Sequence, residues 1–246
     1  MLHPPYRLRA ATRWIAAIFL LSAAATAFGQ ALSVAPVNIS LEPNQKSAIL
    51  SLTNRSESDM SIQIRVFAWN QTDNLDQLTE TNAVIVSPPL ATIAPGSNQV
   101  IRLLLRHPAI GREDTYRILA DQIPSAGKAG TVQIVLRLSI PVFAEPEGKT
   151  APHLQFHLES DGQKVFLVGV NDGTRHDALR ETELTTSDGR KLKTDPGVLP
   201  YILAGVTRRW PIVAEGVPLK TGEALRLKAK RDSGSIDQEV RYAPAP

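Results

Sequence analysis

The sequence predicts an all-β protein of two domains, the first an immunoglobulin-like sandwich. Seven apolar or alternating segments lie between residues 32 and 143, each bounded by Pro, Gly, Asn, Asp or Ser. This is the strand count of an immunoglobulin-like sandwich. The 18 Pro and 15 Gly are spread along the chain, which favours many short strands over long helices. A polar, proline-flanked stretch at 144–152 separates these strands from a second set of apolar segments.

Residues 1–29 have the pattern of a secretory signal peptide. Arg7, Arg9 and Arg13 precede an apolar run that starts at Trp14, and small residues follow it. Ala27 and Gly29 suit cleavage before residue 30, with cleavage before residue 32 as the next choice. An uncleaved membrane anchor is the alternative, although the apolar run is short for a membrane span. We therefore predict an exported protein.

The charge and cysteine content of the mature chain exclude several classes of function. Removal of residues 1–29 takes away three of the 27 basic residues and none of the 24 acidic ones, which leaves 24 of each. A neutral chain has no compositional support for binding nucleic acid or anionic membranes. With no cysteine, the chain can form neither disulfides nor thiolate metal sites, so its stability must come from core burial.

Alternation of apolar and polar residues defines the strands of the first domain. In the third segment it puts Met60, Ile62 and Ile64 on a buried face, and Gln63 and Arg65 on the other. We also expect Trp69 and Trp210 to pack inside their respective sandwiches. The predicted strands are residues 32–41, 46–54, 60–70, 83–89, 98–106, 115–123 and 131–143.

The last of these segments is unusually long. Val132, Ile134, Leu136 and Leu138 form an apolar row that ends before Pro141. Such a row on a sheet edge is an aggregation hazard. We predict that residues 32–41 and 131–143 form exposed edges of the free protein. The alternative is that the row packs in the protein's own core.

Shorter apolar segments follow the linker and predict a second all-β domain. We divide the mature chain into an N-terminal domain at 30–146 and a C-terminal domain at 147–246. The segments of the second domain are residues 153–159, 164–170, 181–186, 199–205, 208–214, 224–230 and 237–242.

Residues 86–124 and 131–146 together resemble the periplasmic pilus-assembly chaperones of chaperone–usher systems. The resemblance rests on six features that occur in a fixed order. The first three are a Ser-Pro-Pro before a Pro-Gly turn, an Ile-Arg-Leu strand and a Glu three residues before an aromatic. An Ile-Pro, a short loop and the alternating strand follow them. Residues 167–184 and 201–212 match more loosely. The Ser-Ile-Pro-Val-Phe ending, the Tyr116–Arg117 pair and the short loop are similar to the archaic branch of this family.

The resemblance implies two immunoglobulin-like domains set at an angle like a boomerang. It also implies a role for the apolar row, because such chaperones lend a strand to a pilus subunit that lacks one, a known mode of strand addition. Val132, Ile134, Leu136 and Leu138 are then the inserted side chains. The implied partners are pilin subunits and an outer-membrane usher. The exposed edges further predict that the free protein self-associates by edge pairing.

The resemblance further implies a salt bridge between Arg102 and Glu113 that helps to fix the domain angle; two solvated charges are the alternative. Pro88 and Pro89 match a proline pair of the family that can contain a cis peptide bond, and the sequence leaves both isomers open. The best-known branch uses two basic residues to hold the carboxylate at the subunit's C-terminus. Here Asn38 and Pro141 stand at those positions. We therefore nominate Arg117 first and Arg137 second as the anchor, with a solvated surface charge as the alternative for Arg117.

No catalytic motif accompanies these features. The sequence contains neither a P-loop nor a Gly-x-Ser-x-Gly elbow, and in a strand His153 and His157 would lie about 13 Å apart, too far for one metal ion. We predict no enzymatic activity, no cofactor, no metal and no nucleic acid. The alternative function is a secreted immunoglobulin-like adhesion or structural binding module.

Overall fold

The computed structural model of the chain describes residues 32–124, 130, 132, 134–161, 164–195, 200–213 and 222–242. These residues form an all-β fold, which confirms the predicted class. The predicted signal peptide lies outside the described residues. In the part of the chain that the structure describes, no helix is long and apolar enough to cross a membrane.

Ten strands among the described residues up to 144 make a two-sheet sandwich, which we call the N-terminal domain. The strands are β1 (Leu32–Ala35), β2 (Ile39–Leu41), β3 (Ser47–Asn54), β4 (Met60–Thr72), β5 (Leu75–Glu80), β6 (Val84–Ser87), β7 (Leu90–Ile93), β8 (Asn98–Leu105), β9 (Asp114–Ile123) and β10 (Arg137–Ala144). One sheet has the order β1-β3-β8-β6. The other has the order β2-β10-β9-β4-β5, with β7 also paired to β4.

The core of this domain lies between the two sheets. The predicted buried face of the third segment is confirmed, because Met60, Ile62 and Ile64 belong to the core cluster. They pack with apolar side chains of the facing sheet, such as Leu50 and Ile101. The two sheets thus bury one face each and leave the other face outward.

The predicted strand at 32–41 is two strands in two different sheets. β1 pairs antiparallel with β3, whereas β2 pairs parallel with β10. Pro36 lies at the break and cannot donate to either ladder. The chain therefore crosses from one sheet to the other at residues 36–38. The structure also gives the Ser87–Pro88 bond as cis, within the Pro88–Pro89 pair.

The predicted strand at 131–143 begins only at Arg137. Its partner β9 ends at Ile123 and is followed by Pro124, which has no N–H for a ladder. The backbone register pairs Arg137 with Asp121, and at the next position the Leu136 N–H donates to the Gln122 side chain and not to its backbone carbonyl. Residues before Val135 would run past the end of β9 at Ile123. The prediction of a strand for the described positions 132 and 134–136 is therefore wrong in the free protein, and Thr131 and Gln133 lie outside the described residues.

In the described residues after 150, eight strands form the C-terminal domain. They are β11 (Leu154–Ser160), β12 (Val165–Asn171), β13 (Asp177–Thr185), β14 (Lys191–Thr194), β15 (Tyr201–Ile202), β16 (Val206–Val213), β17 (Ala224–Arg231) and β18 (Gly234–Arg241). Their order is β11-β12-β16-β14-β13-β17-β18, with β15 paired to β13. A bridge between Leu158 and Tyr242 joins β11 to the residue after β18, and the sheet encloses a core that includes Trp210.

Candidate functional site

Two side chains of the apolar row are exposed, and the other two are half-buried. Val132 and Ile134 are 95% and 85% exposed. Leu136 and Leu138 are half-buried and pack against the core cluster of the N-terminal domain. The row therefore presents two free apolar side chains and two that already contact the protein's own core.

The backbone beside this row offers an open strand edge. β10 pairs with β9 along its whole length, but on its other side β2 pairs only with Val142 to Ala144. In the described part of the chain, Arg137 to Ile140 thus have a strand partner on one side only. An unpaired edge next to exposed apolar side chains is a template for strand addition.

Leu136 lies at the start of this edge and is held by one side chain. Gln122 of β9 accepts a hydrogen bond from the Leu136 N–H through its Oε1 (3.2 Å), and its own backbone N–H donates to the Leu136 carbonyl (2.9 Å). The side-chain amide of Gln122 thus takes the place of its backbone carbonyl at the last pair before β10 begins.

Arg137, the second anchor candidate, is already paired. Its Nε donates to Asp121, and Arg65 donates to the other carboxylate oxygen of Asp121 at 2.7 Å. Partial burial raises the pKa of Asp121, but hydrogen bonds from Arg137 and Arg65 outweigh it, so the pKa lies below the ordinary value. Arg137 would have to leave this carboxylate to bind another.

We expect Asp121 to support folding at neutral pH and to lose that support in acid. Its folded pKa is depressed, so its contribution is complete above the unfolded aspartate value of about 3.9 and is lost as the pH falls through the folded value. In urea unfolding, the stability difference between wild type and Asp121→Asn should therefore shrink below about pH 4. A difference that stayed constant down to about pH 2 would contradict this assignment.

Arg117, the first anchor candidate, is buried in the cleft between the domains. It is only 6% exposed, so the solvated-charge alternative is wrong. Its guanidinium lies 3.7 Å from the ring centroid of Trp69, and its Nη2 is 3.7 Å from Asp76 Oδ2. Nη2 is buried without a hydrogen-bond partner. Burial lowers the pKa of Arg117, although Asp76 and Tyr201 oppose the shift. This cation lacks the strong acceptor that it would bind best.

A second buried arginine reaches the same carboxylate from the C-terminal domain. Arg208 Nη1 lies 3.5 Å from Asp76 Oδ1 and donates to the carbonyl of Asn74 at 2.7 Å. Its Nε is buried without a hydrogen-bond partner. Arg117 and Arg208 therefore share one carboxylate, and this corner of the cleft carries excess positive charge. Sequence reasoning missed Arg208 because nothing in the sequence places β16 beside the β4–β5 hairpin.

An aromatic cluster joins the two domains. Trp69 and Phe143 pack with Leu203 of the C-terminal domain, and the Phe143 ring stacks on His176 with centroids 3.5 Å apart. The expectation that Trp69 packs inside its sandwich is wrong. Alternation along β4 could have predicted this, because it puts Trp69 on the same face as Gln63 and Arg65, opposite to the buried Ile62.

The expected salt bridge between Arg102 and Glu113 is also wrong. Arg102 is exposed on β8, whereas Glu113 is buried and accepts hydrogen bonds from the His176 backbone N–H (3.0 Å) and Nδ1 (2.7 Å). Arg175 Nε lies 4.0 Å from the other oxygen of Glu113. Glu113 does link the two domains, but its partners come from the loop before β13.

The remaining predicted positions supply no charge. Asn38 is exposed in the crossover between β1 and β2, and Pro141 is buried opposite Arg117 in β10. The two histidines pair with carboxylates: His153 with Asp172 and His157 with Glu159. Within the described segments, no three His, Cys, Asp or Glu side chains gather as a metal site.

Comparisons with known proteins agree with this architecture. Residues 31–150 match the family model described as pili and flagellar-assembly chaperone, PapD N-terminal domain. None of the curated proteins compared with the chain matches it.

Solved structures share the fold over most of the chain. A chain of the CsuC–CsuE chaperone–tip adhesion subunit complex from archaic Csu pili of Acinetobacter baumannii is 22% identical, with a TM-score of 0.66 over 88% of this chain and 100% of that chain. The E. coli chaperone DraB is 20% identical, with a TM-score of 0.59 over 85% and 96%. A chain of the Salmonella enterica SafA pilin–SafB chaperone complex is 15% identical, with a TM-score of 0.58 over 86% and 95%.

Proposed function

Because the chain belongs to the family of pili and flagellar-assembly chaperones, we propose that it is a periplasmic chaperone for pilus subunits. It folds and stabilises them and delivers them to an outer-membrane usher by donor-strand complementation. The observation that carries the proposal is the pair of exposed apolar side chains, Val132 and Ile134, beside the open edge of β10. Two structurally similar proteins are chaperones solved with a tip subunit or a pilin.

The exposed half of the row supplies most of the binding energy available from apolar burial. Four freely exposed aliphatic side chains would give about 6–12 kcal/mol, at about 1.5–3 kcal/mol each. Leu136 and Leu138 are already half-buried, so the main gain comes from Val132 and Ile134, at about 3–6 kcal/mol before ordering costs. Backbone hydrogen bonds along the edge add to this gain. A competing strand from another subunit can release the cargo by exchange, without a chemical step or a cofactor.

Arg117 is the anchor that we propose for the carboxylate at the subunit's C-terminus. Its buried Nη2 has no hydrogen-bond partner, and a carboxylate is the acceptor that best satisfies a guanidinium. Arg137 is the second choice, since Asp121 already holds it. The Arg117 donor without a hydrogen-bond partner supports the first choice.

The periplasm is the compartment that we assign, with residues 1–29 removed as a signal peptide. N-terminal sequencing of the protein recovered from a periplasmic extract should begin at residue 30. A chain that begins at Met1 and stays with the inner membrane would contradict cleavage.

Co-expression with a candidate subunit in the periplasm tests the function. The subunit should be recovered as a one-to-one complex with the chaperone and should be degraded or aggregated without it. The alternative function, a secreted adhesion or structural module, gives a folded protein that leaves subunit recovery unchanged. Neighbouring genes for an usher and for subunits would favour the chaperone.

We expect the free protein to self-associate through the same edge. Val132 and Ile134 are exposed apolar side chains, and a second copy can cover them by edge pairing. Sedimentation velocity over a range of concentrations should show a concentration-dependent dimer, and Ile134→Arg should weaken it. Added subunit should compete with the dimer. A monomer at every concentration would contradict the prediction.

A further inference from the structure

The β4–β5 hairpin carries two amide side chains that reach the C-terminal domain. Gln71 is buried at the end of β4, where its Oε1 accepts a hydrogen bond from the Leu203 N–H (3.1 Å) and its Nε2 donates to the Tyr201 carbonyl (3.1 Å). Nε2 also donates to Asp76 Oδ1 at 3.1 Å. One amide thus satisfies both a backbone donor and a backbone acceptor across the domain junction.

Asn74, at the turn of the same hairpin, makes a similar pair of hydrogen bonds to one backbone residue, which we call the bracket. Its Oδ1 accepts from the Arg209 N–H (2.8 Å) and its Nδ2 donates to the Arg209 carbonyl (2.9 Å). These are the two bonds that a residue in a neighbouring antiparallel strand would make. The Asn74 side chain can occupy this place beside Arg209 because β14 pairs with β16 only from Ile212 onward.

The turn backbone is suited to presenting this side chain. Asn74 has a φ of 64°, in the left-handed region that Asn and Gly adopt most readily. Its carbonyl accepts from the buried Arg208 guanidinium at 2.7 Å. The side chain and the main chain of Asn74 therefore both hold β16 of the C-terminal domain.

We propose that Gln71 and Asn74 form an amide clamp that positions the two domains for subunit capture, an inference that rests on the proposed function. The clamp keeps Arg208 of the C-terminal domain beside Asp76 and Arg117 of the N-terminal domain, so that the cleft around the proposed anchor keeps its shape. It acts at a different place from the contact between Glu113 and His176. Because amides carry no charge, the clamp holds the domains in place at any salt concentration and across the pH range of folded protein, which an ion pair does not.

Distance measurements between spin labels test the clamp in the full mature chain. The sequence has no cysteine, so Ser97→Cys and Ser187→Cys, both at exposed positions, place one label on each domain. Asn74→Gly keeps the left-handed backbone and removes only the bracket. Asp73→Gly is the matched control, because Asp73 is the neighbouring turn residue with a φ of 51° and its side chain makes no hydrogen bond across the junction of the described domains.

We expect one narrow distance distribution in wild type and in Asp73→Gly, and a distribution about twice as wide in Asn74→Gly. Asn74→Asp keeps the acceptor for the Arg209 N–H and should give an intermediate width. Recovery of a co-expressed subunit should fall about tenfold in Asn74→Gly, as expected for the loss of two hydrogen bonds, with little change in the melting temperature of either domain. Gln71→Leu should widen the distribution in the same way.

An unchanged width in both Asn74→Gly and Gln71→Leu would overturn the clamp. So would a widened distribution with undiminished subunit recovery, because the domain angle would then be irrelevant to capture. If wild type itself recovers no subunit, the proposed function fails, whereas the widths still decide whether the clamp fixes the domains.

Discussion

Ile134→Arg is expected to abolish subunit recovery, by more than about 100-fold, while the melting temperature of the chaperone stays unchanged. A charge that enters an apolar groove without a partner costs several kcal/mol, and about 2.7 kcal/mol already corresponds to a factor of 100. The folded chaperone should tolerate the change because Ile134 is 85% exposed. Co-purification of a co-expressed subunit and thermal unfolding of the free variant measure the two effects.

Ile110→Arg is the matched control for this experiment. Ile110 is 88% exposed in the loop between β8 and β9, so it receives the same charge at the same exposure but lies off the apolar row. Subunit recovery should stay at the wild-type level. Equal losses in both variants would mean that recovery responds to surface charge in general, and the assignment of Ile134 would fail. Leu136→Arg is a poorer test because Leu136 contacts the core.

Arg117→Met is expected to lower subunit recovery by about 10- to 100-fold, the range expected for a charge-assisted hydrogen bond of about 1.5–3 kcal/mol. The chaperone itself should be as stable as wild type or more so. The Nη2 of this buried cation has no hydrogen-bond partner, although Asp76 lies 3.7 Å away. An apolar chain of similar length keeps the contact with Trp69 without burying a charge, and Asp76 keeps Arg208 as a partner. Arg117→Lys should restore recovery only in part, because an ammonium cannot make a bidentate pair with a carboxylate.

Arg137→Met provides the comparison that separates the two anchor candidates. Arg137 is exposed and already bound to Asp121, so this variant should keep most of the subunit recovery. If Arg117→Met recovers the subunit normally and Arg137→Met does not, the anchor lies on β10 itself. Thermal unfolding of both variants identifies any loss that comes from misfolding.

Local patterns predicted most of the fold. The strand at Met60–Thr72 and its buried face follow from alternation of side chains, which needs no knowledge of the partner strand. The start of β10 at Arg137 could not be predicted in this way, because it depends on contacts with β9, where the Gln122 side chain replaces the backbone acceptor for Leu136. Alternation identifies the face of a sheet that a residue occupies, but it contains no information about the neighbouring strand.

Contacts between the domains were the part that sequence could not supply. The resemblance gave Arg102 as the partner of Glu113, whereas the structure pairs Glu113 with His176, which lies 63 residues away in a loop. Arg208 and Asn74 meet only because the β4–β5 hairpin lies against β16. Such pairings depend on how the two domains are placed relative to each other, and the local alternation of apolar and polar residues carries no information about that. The face of β9 that Arg117 occupies could be predicted, because alternation puts it opposite to Tyr116 and Ile118.

Amide hydrogen exchange of residues 132–140, in the free chaperone and in a purified one-to-one complex with a subunit, tests the central claim most directly. In the free protein, Val132 and Ile134 lie outside any strand, so their amides should exchange rapidly. In the complex this stretch should pair with the subunit's sheet, and alternate amides should become strongly protected as in a central strand. An intact complex in which these amides exchange as fast as in the free chaperone would contradict donation of the strand.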